Sequence, residues 1–248
     1  VPAAAAAARS AMTGAVAATR VAHGLVLAML GAIAFSGKAI LAKLMYRHGV
    51  DAVQVIFWRM LLALPLFLAL AWWAGRGKPA LGVRDWRTIA LLGFCGYYLA
   101  SLLDFIGLQY ISAGLERLIL YLNPTLVLLL SVVLLGKRLS ARQAVAMALS
   151  YAGVAVVFGQ ELSFEGPNVA FGAALVFGSA ISYAIYLVLS GEEVRRIGAL
   201  RLTGLASTVA CVLCIAQFLL LRPLAAMDVA PAVIWLSLLN ALVCTFAP

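Results

Sequence analysis

Long apolar runs, separated by short polar stretches, dominate the sequence. An α-helix needs about 20 mainly apolar residues to cross the hydrocarbon core of a bilayer. Charged residues, glycine and proline mark where each run ends. The pattern predicts eight membrane-spanning helices, at 24–44, 53–73, 88–110, 114–135, 143–160, 170–189, 202–221 and from 233 onward. We therefore predict an all-α fold, a polytopic membrane helical bundle, in which the Ala-rich residues 1–20 form a mobile cytoplasmic tail.

Composition agrees with this pattern. The 248 residues are 65% hydrophobic and 11% charged, with a mean hydropathy of +1.08. Soluble domains are about 45–50% apolar and about 25% charged. Composition therefore argues against a soluble enzyme, a disordered chain and a secreted disulfide scaffold. Four cysteines and two histidines are too few and too scattered for a zinc cage or a disulfide framework, so we expect neither a metal nor a cofactor.

The distribution of Lys and Arg predicts the orientation. Twelve of them fall in one set of connections and three in the other, and the remaining three, Lys38, Arg59 and Arg117, lie within helices. Cytoplasmic loops carry the excess of positive charge in membrane proteins. The amino terminus is therefore predicted to be cytoplasmic. Because orientation explains the net charge of +9, we expect no nucleic-acid partner.

The chain also contains an internal repeat. A shift of 148 positions places Gly24, Leu27, Ala32, Ile33 and Phe35 over Gly172, Leu175, Ala180, Ile181 and Tyr183. A nearly equal shift aligns the third and eighth helices. Because each copy would contain five helices, the second copy must run in the opposite direction across the membrane. We predict a first repeat at 21–162 and an incomplete second repeat at 166–248, so that about eight of ten expected helices are present.

One segment resembles a known family. The run from Leu120 to Ser140, LYLNPTLVLLLSVVLLGKRLS, is followed by Gln143 and by YAGV from Tyr151. It resembles the end of the first repeat in EamA-like members of the drug/metabolite transporter superfamily. The resemblance implies ten helices in two inverted repeats around a central cavity, with alternating access. Relatives usually carry Glu where this chain has Lys137, so any role of that carboxylate is not transferred.

Ionisable side chains inside the predicted helices are the first candidates for function. Each costs at least about 2.5–3.5 kcal/mol in the bilayer, so each is expected to face a partner or a cavity. Lys38, Arg59 and Asp104 share one depth, with Glu116 and Arg117 slightly above them. The side chain of Asp104 could form a structural ion pair with Lys38 or Arg59, or the group could bind substrate or protons. Asp104 and Glu116 are the proton-coupling candidates. The positive surplus favours an anionic or zwitterionic substrate, or else it neutralises helix carbonyls.

Polar stripes at helical spacing extend this set. Pro124 frees the carbonyl of Leu120, which could then bind a ligand. Tyr186 is the repeat counterpart of Lys38. Hydroxyl groups in such stripes also pack helix against helix, which is the alternative interpretation. The substrate-binding candidates are Lys38, Arg59, Tyr97, Ser101, Arg117, Tyr121, Asn123, Pro124, Ser179, Tyr183 and Tyr186.

These features together favour a secondary transporter of the bacterial inner membrane. The hypothesis is that it exports a small metabolite, amino acid or drug-like compound, coupled to protons or a counter-substrate, as a monomer or homodimer in the lipid bilayer. Alternatives are a nucleotide-sugar or phosphorylated-metabolite exchanger, and a non-transporting receptor or scaffold. No constellation of catalytic residues can be assembled from so few polar groups, so an enzyme is not expected.

Overall fold

The structure, a computed structural model, describes residues 25–26, 29–136, 139–158 and 168–247. The predicted tail at 1–20 lies outside the described residues. The helices are α1 Met29–Tyr46, α2 Ala52–Gly75, α3 Val83–Leu108, α4 Ala113–Leu135, α5 Ala141–Phe158, α6 Val169–Ile197, α7 Ala199–Leu221 and α8 Pro231–Phe246. Within the described ranges there is no strand, and six helices are long and apolar enough to cross a membrane. The predicted all-α membrane bundle is confirmed.

Local sequence explains where the helices begin and turn. At the start of α2 the side chain of Asp51 accepts from the Gln54 amide at 2.9 Å, and Gln54 accepts from the Asp51 amide at 2.8 Å. This reciprocal pair is a capping box, which satisfies two free amides at the helix start. Gly198 alone joins α6 to α7, with a φ of 93°. Glycine adopts this conformation without a steric penalty, so α7 can begin directly after α6.

Two helices contain a wider, π-helical segment. In α3 it is Phe94–Leu99, and in α8 it is Asn240–Phe246. A π segment inserts an extra residue into the turn and shifts the faces on either side of it. At a spacing of 147 positions the two segments coincide almost completely.

The antiparallel pair α2 and α7 forms the centre of the bundle. The rings of Phe57 and Phe218 stack with centroids 4.0 Å apart. Further along, a Cβ added to Gly204 would lie 2.8 Å from the backbone nitrogen of Ala71, so the two backbones approach closely. Small residues allow this approach between membrane helices, where close packing drives association.

Contacts between α2 and α7 occur in pairs that are related by the repeat spacing. At 147 positions, Phe57 corresponds to Gly204 and Phe218 corresponds to Ala71. The contact of Phe57 with Phe218 therefore has its counterpart in the contact of Gly204 with Ala71. A two-fold relation between the helices α1 to α3 and α6 to α8 produces such an exchange.

Candidate functional site

Lys38 lies at the meeting point of three helices. Its Nζ is 2.5 Å from Oδ2 of Asp104 on α3 and 3.6 Å from Oε1 of Glu116 on α4. The three residues are only 6%, 2% and 0% exposed. Of the two partners predicted for Asp104, the structure selects Lys38, so one ammonium group holds two carboxylates from different helices.

Arg117 extends this group toward α1. Its Nε lies 3.2 Å from Oε2 of Glu116, and its Nη2 donates to the carbonyl oxygens of Phe35 and Ser36 at 3.2 and 3.1 Å. Arg117 therefore binds both a carboxylate and two helix carbonyls. Lys38, Asp104, Glu116 and Arg117 are hereafter the ion cluster.

Some acceptors of the ion cluster have no hydrogen bond. Oδ1 of Asp104 and both carboxyl oxygens of Glu116 are buried and lack a hydrogen bond within the described part of the chain, and the Glu116 oxygens have only their ion-pair contacts with Lys38 and Arg117. Buried polar atoms usually find a hydrogen-bond partner, and those that do not need a functional or solvent explanation. These oxygens can accept a proton or a polar group that enters the bundle.

Arg59 is a separate buried cation on α2. It is 3% exposed, its Nη2 donates to Oγ of Ser101 at 2.9 Å, and its guanidinium lies 4.6 Å from the centroid of the Phe105 ring. Its Nε has no hydrogen-bond partner among the described residues. Within the same residues, no carboxylate lies within 4 Å of its nitrogens. Arg59 is thus a buried charge without an ion-pair partner in the described structure.

Three tyrosines form a second polar group between α3 and α6. The hydroxyls of Tyr97 and Tyr186 are 3.1 Å apart, and the ring of Tyr183 stacks on that of Tyr186 at 5.6 Å. Gly96 lies directly against the Tyr186 ring, which brings the helices together. Tyr97, Tyr183 and Tyr186 are hereafter the tyrosine cluster. Tyr97 lies about one turn along α3 from Ser101, so the cluster adjoins the partner of Arg59.

Ser179 forms a hydrogen bond between two helices. Its Oγ donates to the carbonyl of Ala100 at 2.7 Å, across the contact between α6 and α3. This is the alternative interpretation given for the hydroxyl groups of the polar stripes. The bond satisfies the hydroxyl within the bundle.

Tyr121, Asn123 and Pro124 lie at a break in α4. The regular helix of α4 is interrupted at Tyr121 and Leu122, and Pro124 stands in the first turn of its second part. A depression of about 290 Å³ there is lined by Tyr121, Pro124, Leu128, Gln143, Ala146, Met147, Ser150 and Tyr151. The sequence pattern assumed an uninterrupted α4; past the break, Thr125 shares a hydrogen bond with Tyr151 of α5.

Sequence reasoning missed an open depression of about 750 Å³ at the end where α1 leads into α2. It is lined by Lys43, Tyr46, Arg47, Gly49, Val50, Asp51, Gln109, Ser112 and Ala113. We call it the basic depression. Lys43 and Arg47 were counted only as loop charge. Their helical spacing of four, which places them on one face, was the available signal.

The opposite end, where α2 leads into α3, is closed by polar contacts. Asp85 and Arg196 form an ion pair of 2.5 Å, and Nζ of Lys78 donates to the carbonyl of Ile197 at 3.3 Å. The hydrogen bonds that Arg196 donates to Glu193, and then to Asp85, raise the pKa of its guanidinium above its ordinary value. These contacts join the start of α3 to the end of α6.

Similarity to known proteins identifies the family of this chain. The model of the EamA-like transporter family matches residues 22–159, more than half of the sequence. The chain belongs to the EamA-like transporter family. An uncharacterized transporter of Bacillus subtilis (strain 168), YcbK, is 33% identical over 198 residues, 76% of this chain and 61% of the relative. An uncharacterized transporter of Archaeoglobus fulgidus is 26% identical over 168 residues, 67% of this chain and 56% of the relative.

This EamA-like chain therefore spans only about three fifths of the length of these two curated relatives. A solved structure described as "Crystal structure of protein" superposes with a TM-score of 0.64 at 16% identity, covering 90% of this chain and 76% of the other. That likeness concerns the fold. The family and the relatives establish a multi-pass membrane protein of a transporter family, which makes an enzyme activity unexpected. The matched segment contains the ion cluster and Arg59, whereas Tyr183 and Tyr186 lie beyond it.

Proposed function

We propose that this EamA-like chain exports a small metabolite, amino acid or drug-like compound across the bacterial inner membrane by alternating access. One observation carries the proposal: α3 presents a row of polar groups to different helices. Tyr97 meets Tyr186 on α6, Ser101 meets Arg59 on α2, and Asp104 meets Lys38 on α1. Polar groups inside membrane proteins typically mark substrate or ion pathways.

The two repeats supply the moving parts of this proposal. Residues 21–162 and 166–248 are the units, and the exchange of contacts between α2 and α7 supports them. In inverted repeats the substrate site lies at the repeat interface near the bilayer midplane. The row on α3 lies at this interface because it contacts both α2 and α6.

The two ends of the bundle differ, as alternating access requires. With the amino terminus in the cytoplasm, the end closed by Asp85 and Arg196 faces the cytoplasm and the basic depression faces outward. At the spacing of 147 positions, the counterparts of Asp85 and Arg196 are Ala232 and Gly49, so this ion pair between α3 and α6 has no charged counterpart at the other end, where Asp51 and Arg222 form a different ion pair. Opening toward the cytoplasm therefore requires this ion pair to break.

Replacing Asp85 with asparagine should favour the state that is open toward the cytoplasm. Ion pairs in contact with solvent are weak, so we expect a shift of only about 1.5- to 5-fold in the open population. Cys95, half-buried in α3, can report this, since the other three cysteines are buried. Its rate of labelling by an impermeant maleimide from the cytoplasmic side should rise by that factor. Arg87→Gln, an exposed charge change on the same helix, is the control. Equal rates in Asp85→Asn and the parent would contradict the gating role.

Neutralising Asp104 tests the proton coupling. In proteoliposomes with an imposed pH gradient, Asp104→Asn should reduce gradient-driven uptake of labelled amino acids at least about tenfold, since the variant lacks an intramembrane proton carrier. Glu116→Gln should have a similar effect, while exchange without a gradient continues. Unchanged uptake in Asp104→Asn would remove this carboxylate from the mechanism.

Transport assays in proteoliposomes also test two other functions. A nucleotide-sugar or phosphorylated-metabolite exchanger is favoured by Lys43 and Arg47 in the basic depression, because cationic side chains attract phosphates. Counterflow of a nucleotide sugar, without uptake of amino acids, would select it. For a receptor or scaffold, charge-neutralised variants would lose folding with no separate loss of function.

A further inference from the structure

Formal charges inside the bundle do not cancel. Lys38 has two carboxylate neighbours, and Arg117 shares one of them. Arg59, 3% exposed, has no such neighbour within 4 Å in the described ranges. Three cations therefore face two carboxylates, and the uncompensated charge is that of Arg59.

The surroundings of Arg59 are shaped for an anion. Its free Nε lies beside Nη2 in the planar fork of the guanidinium, and such a fork accepts two oxygens of one oxyanion. The ring of Phe105 covers one face at 4.6 Å, and the buried core residues Cys211 and Cys214 also lie close to the charge. The carboxylate of Asp104 acts on Arg59 from beyond 4 Å, while it is paired directly with Lys38. A low-polarity environment strengthens an ion pair that forms there.

A chain of contacts links the basic depression to Arg59. Tyr46 lines the depression, and its hydroxyl donates to the carbonyl of Phe105 at 2.8 Å. The ring of Phe105 in turn covers Arg59, so Tyr46 and Phe105 separate the depression from the guanidinium. Lys43 and Arg47 at the rim attract anions toward this point.

We propose that Arg59 is the anion-binding residue of the transport path and that the transported compounds carry a single carboxylate. The inference rests on the proposed transport function and names its substrate class. One negative charge neutralises the surplus of one positive charge, whereas a phosphate dianion would reverse it. Binding requires Tyr46 and Phe105 to move aside, and the oxyanion then occupies Nε and Nη2 of Arg59 together.

Benzoate and benzamide are the matched probes, since they share shape and differ in charge. With the purified full chain in nanodiscs, benzoate should raise the midpoint of thermal unfolding and bind saturably by calorimetry, because a ligand of the native state stabilises it. Benzamide and inorganic phosphate should give no saturable binding. Arg59→Met should weaken benzoate binding at least about tenfold, and Arg59→Lys less, since a lysine keeps the charge and loses the fork.

Arg87→Gln is the matched control, because it removes an equal charge from an exposed position on α3 and should leave benzoate binding unchanged. The unfolding temperature measured without benzoate distinguishes a binding role of Arg59 from a structural one. An uncompensated buried charge destabilises the folded protein, so Arg59→Met should unfold at a higher temperature than the parent. If Arg59 only held α2 to Ser101 of α3, this variant would unfold at a lower temperature, and the proposal would be overturned.

The remaining outcomes distinguish this inference from the proposed function. Equal benzoate binding by the parent and Arg59→Met, absence of saturable benzoate binding, or tighter binding of phosphate would each overturn the carboxylate site. If proteoliposomes take up a neutral or cationic solute and the protein does not bind benzoate, the carboxylate site is overturned and the transport function stands. Benzoate binding that depends on Arg59, without uptake of any solute, would support the site and contradict the transport function.

Discussion

Replacing Asp104 with leucine destabilises the bundle by about 3–5 kcal/mol, because it removes one partner of a buried ion pair. Lys38 then stays 6% exposed, with Glu116 at 3.6 Å as its remaining carboxylate neighbour in the described chain. Unfolding of the purified protein in mixed micelles, followed by circular dichroism as the mole fraction of SDS rises, measures the change. The midpoint should move to a clearly lower SDS fraction.

A double variant shows whether the charge left behind causes the loss. Lys38→Met combined with Asp104→Leu should recover most of the stability, because apolar residues of similar volume replace a buried ion pair at little cost. Arg222→Gln is the control at an exposed pair with Asp51, and it should cost less than about 1 kcal/mol. Equal instability of the single and double variants would mean that packing around Asp104, and not charge, holds the helices.

Adding one methyl group at Gly107 should cost about 1–3 kcal/mol or more, since overpacking forces a shift in the neighbouring structure. A Cβ at this position would lie 2.7 Å from the carbonyl oxygen of Gly172 and 2.7 Å from Cγ2 of Val176. The first contact is with backbone, so α6 must move away from α3. The same SDS titration of Gly107→Ala measures the loss.

Gly191→Ala is the matched control on α6. A Cβ there meets nothing within 4 Å, and alanine favours a helix over glycine by about 0.8–1.0 kcal/mol. This variant should therefore be as stable as the parent or slightly more stable. If Gly107→Ala proved as stable as Gly191→Ala, that result would contradict the close contact between α3 and α6.

The spans were predictable because each apolar run corresponds to a helix with its own hydrogen bonds. The prediction for α2, 53–73, differs from Ala52–Gly75 by a few residues. The prediction for α3 began at 88, whereas the helix begins at Val83. Its first turn contains the charged residues Arg84 and Asp85, which end an apolar run without ending a helix.

The positions of the buried charges were also predictable, and their partners were not. Hydropathy places Lys38, Arg59 and Asp104 inside helices, because a charge stands out in an apolar run. The rotation of α1 against α3 decides that Asp104 pairs with Lys38 and leaves Arg59 without a carboxylate. Rotation depends on packing at glycines such as Gly107, and one sequence carries no measure of it.

What the sequence by itself determined is the all-α membrane bundle, its helices and the interior position of its charges. Each of these follows from the cost of transferring single residues or single turns into lipid, which can be summed along the chain. Tertiary structure alone decided which charges neutralise one another, where α4 breaks, and that the basic depression adjoins Arg59 through Tyr46 and Phe105. Those outcomes depend on distances of a few ångströms between helices, over which electrostatic and packing energies change steeply.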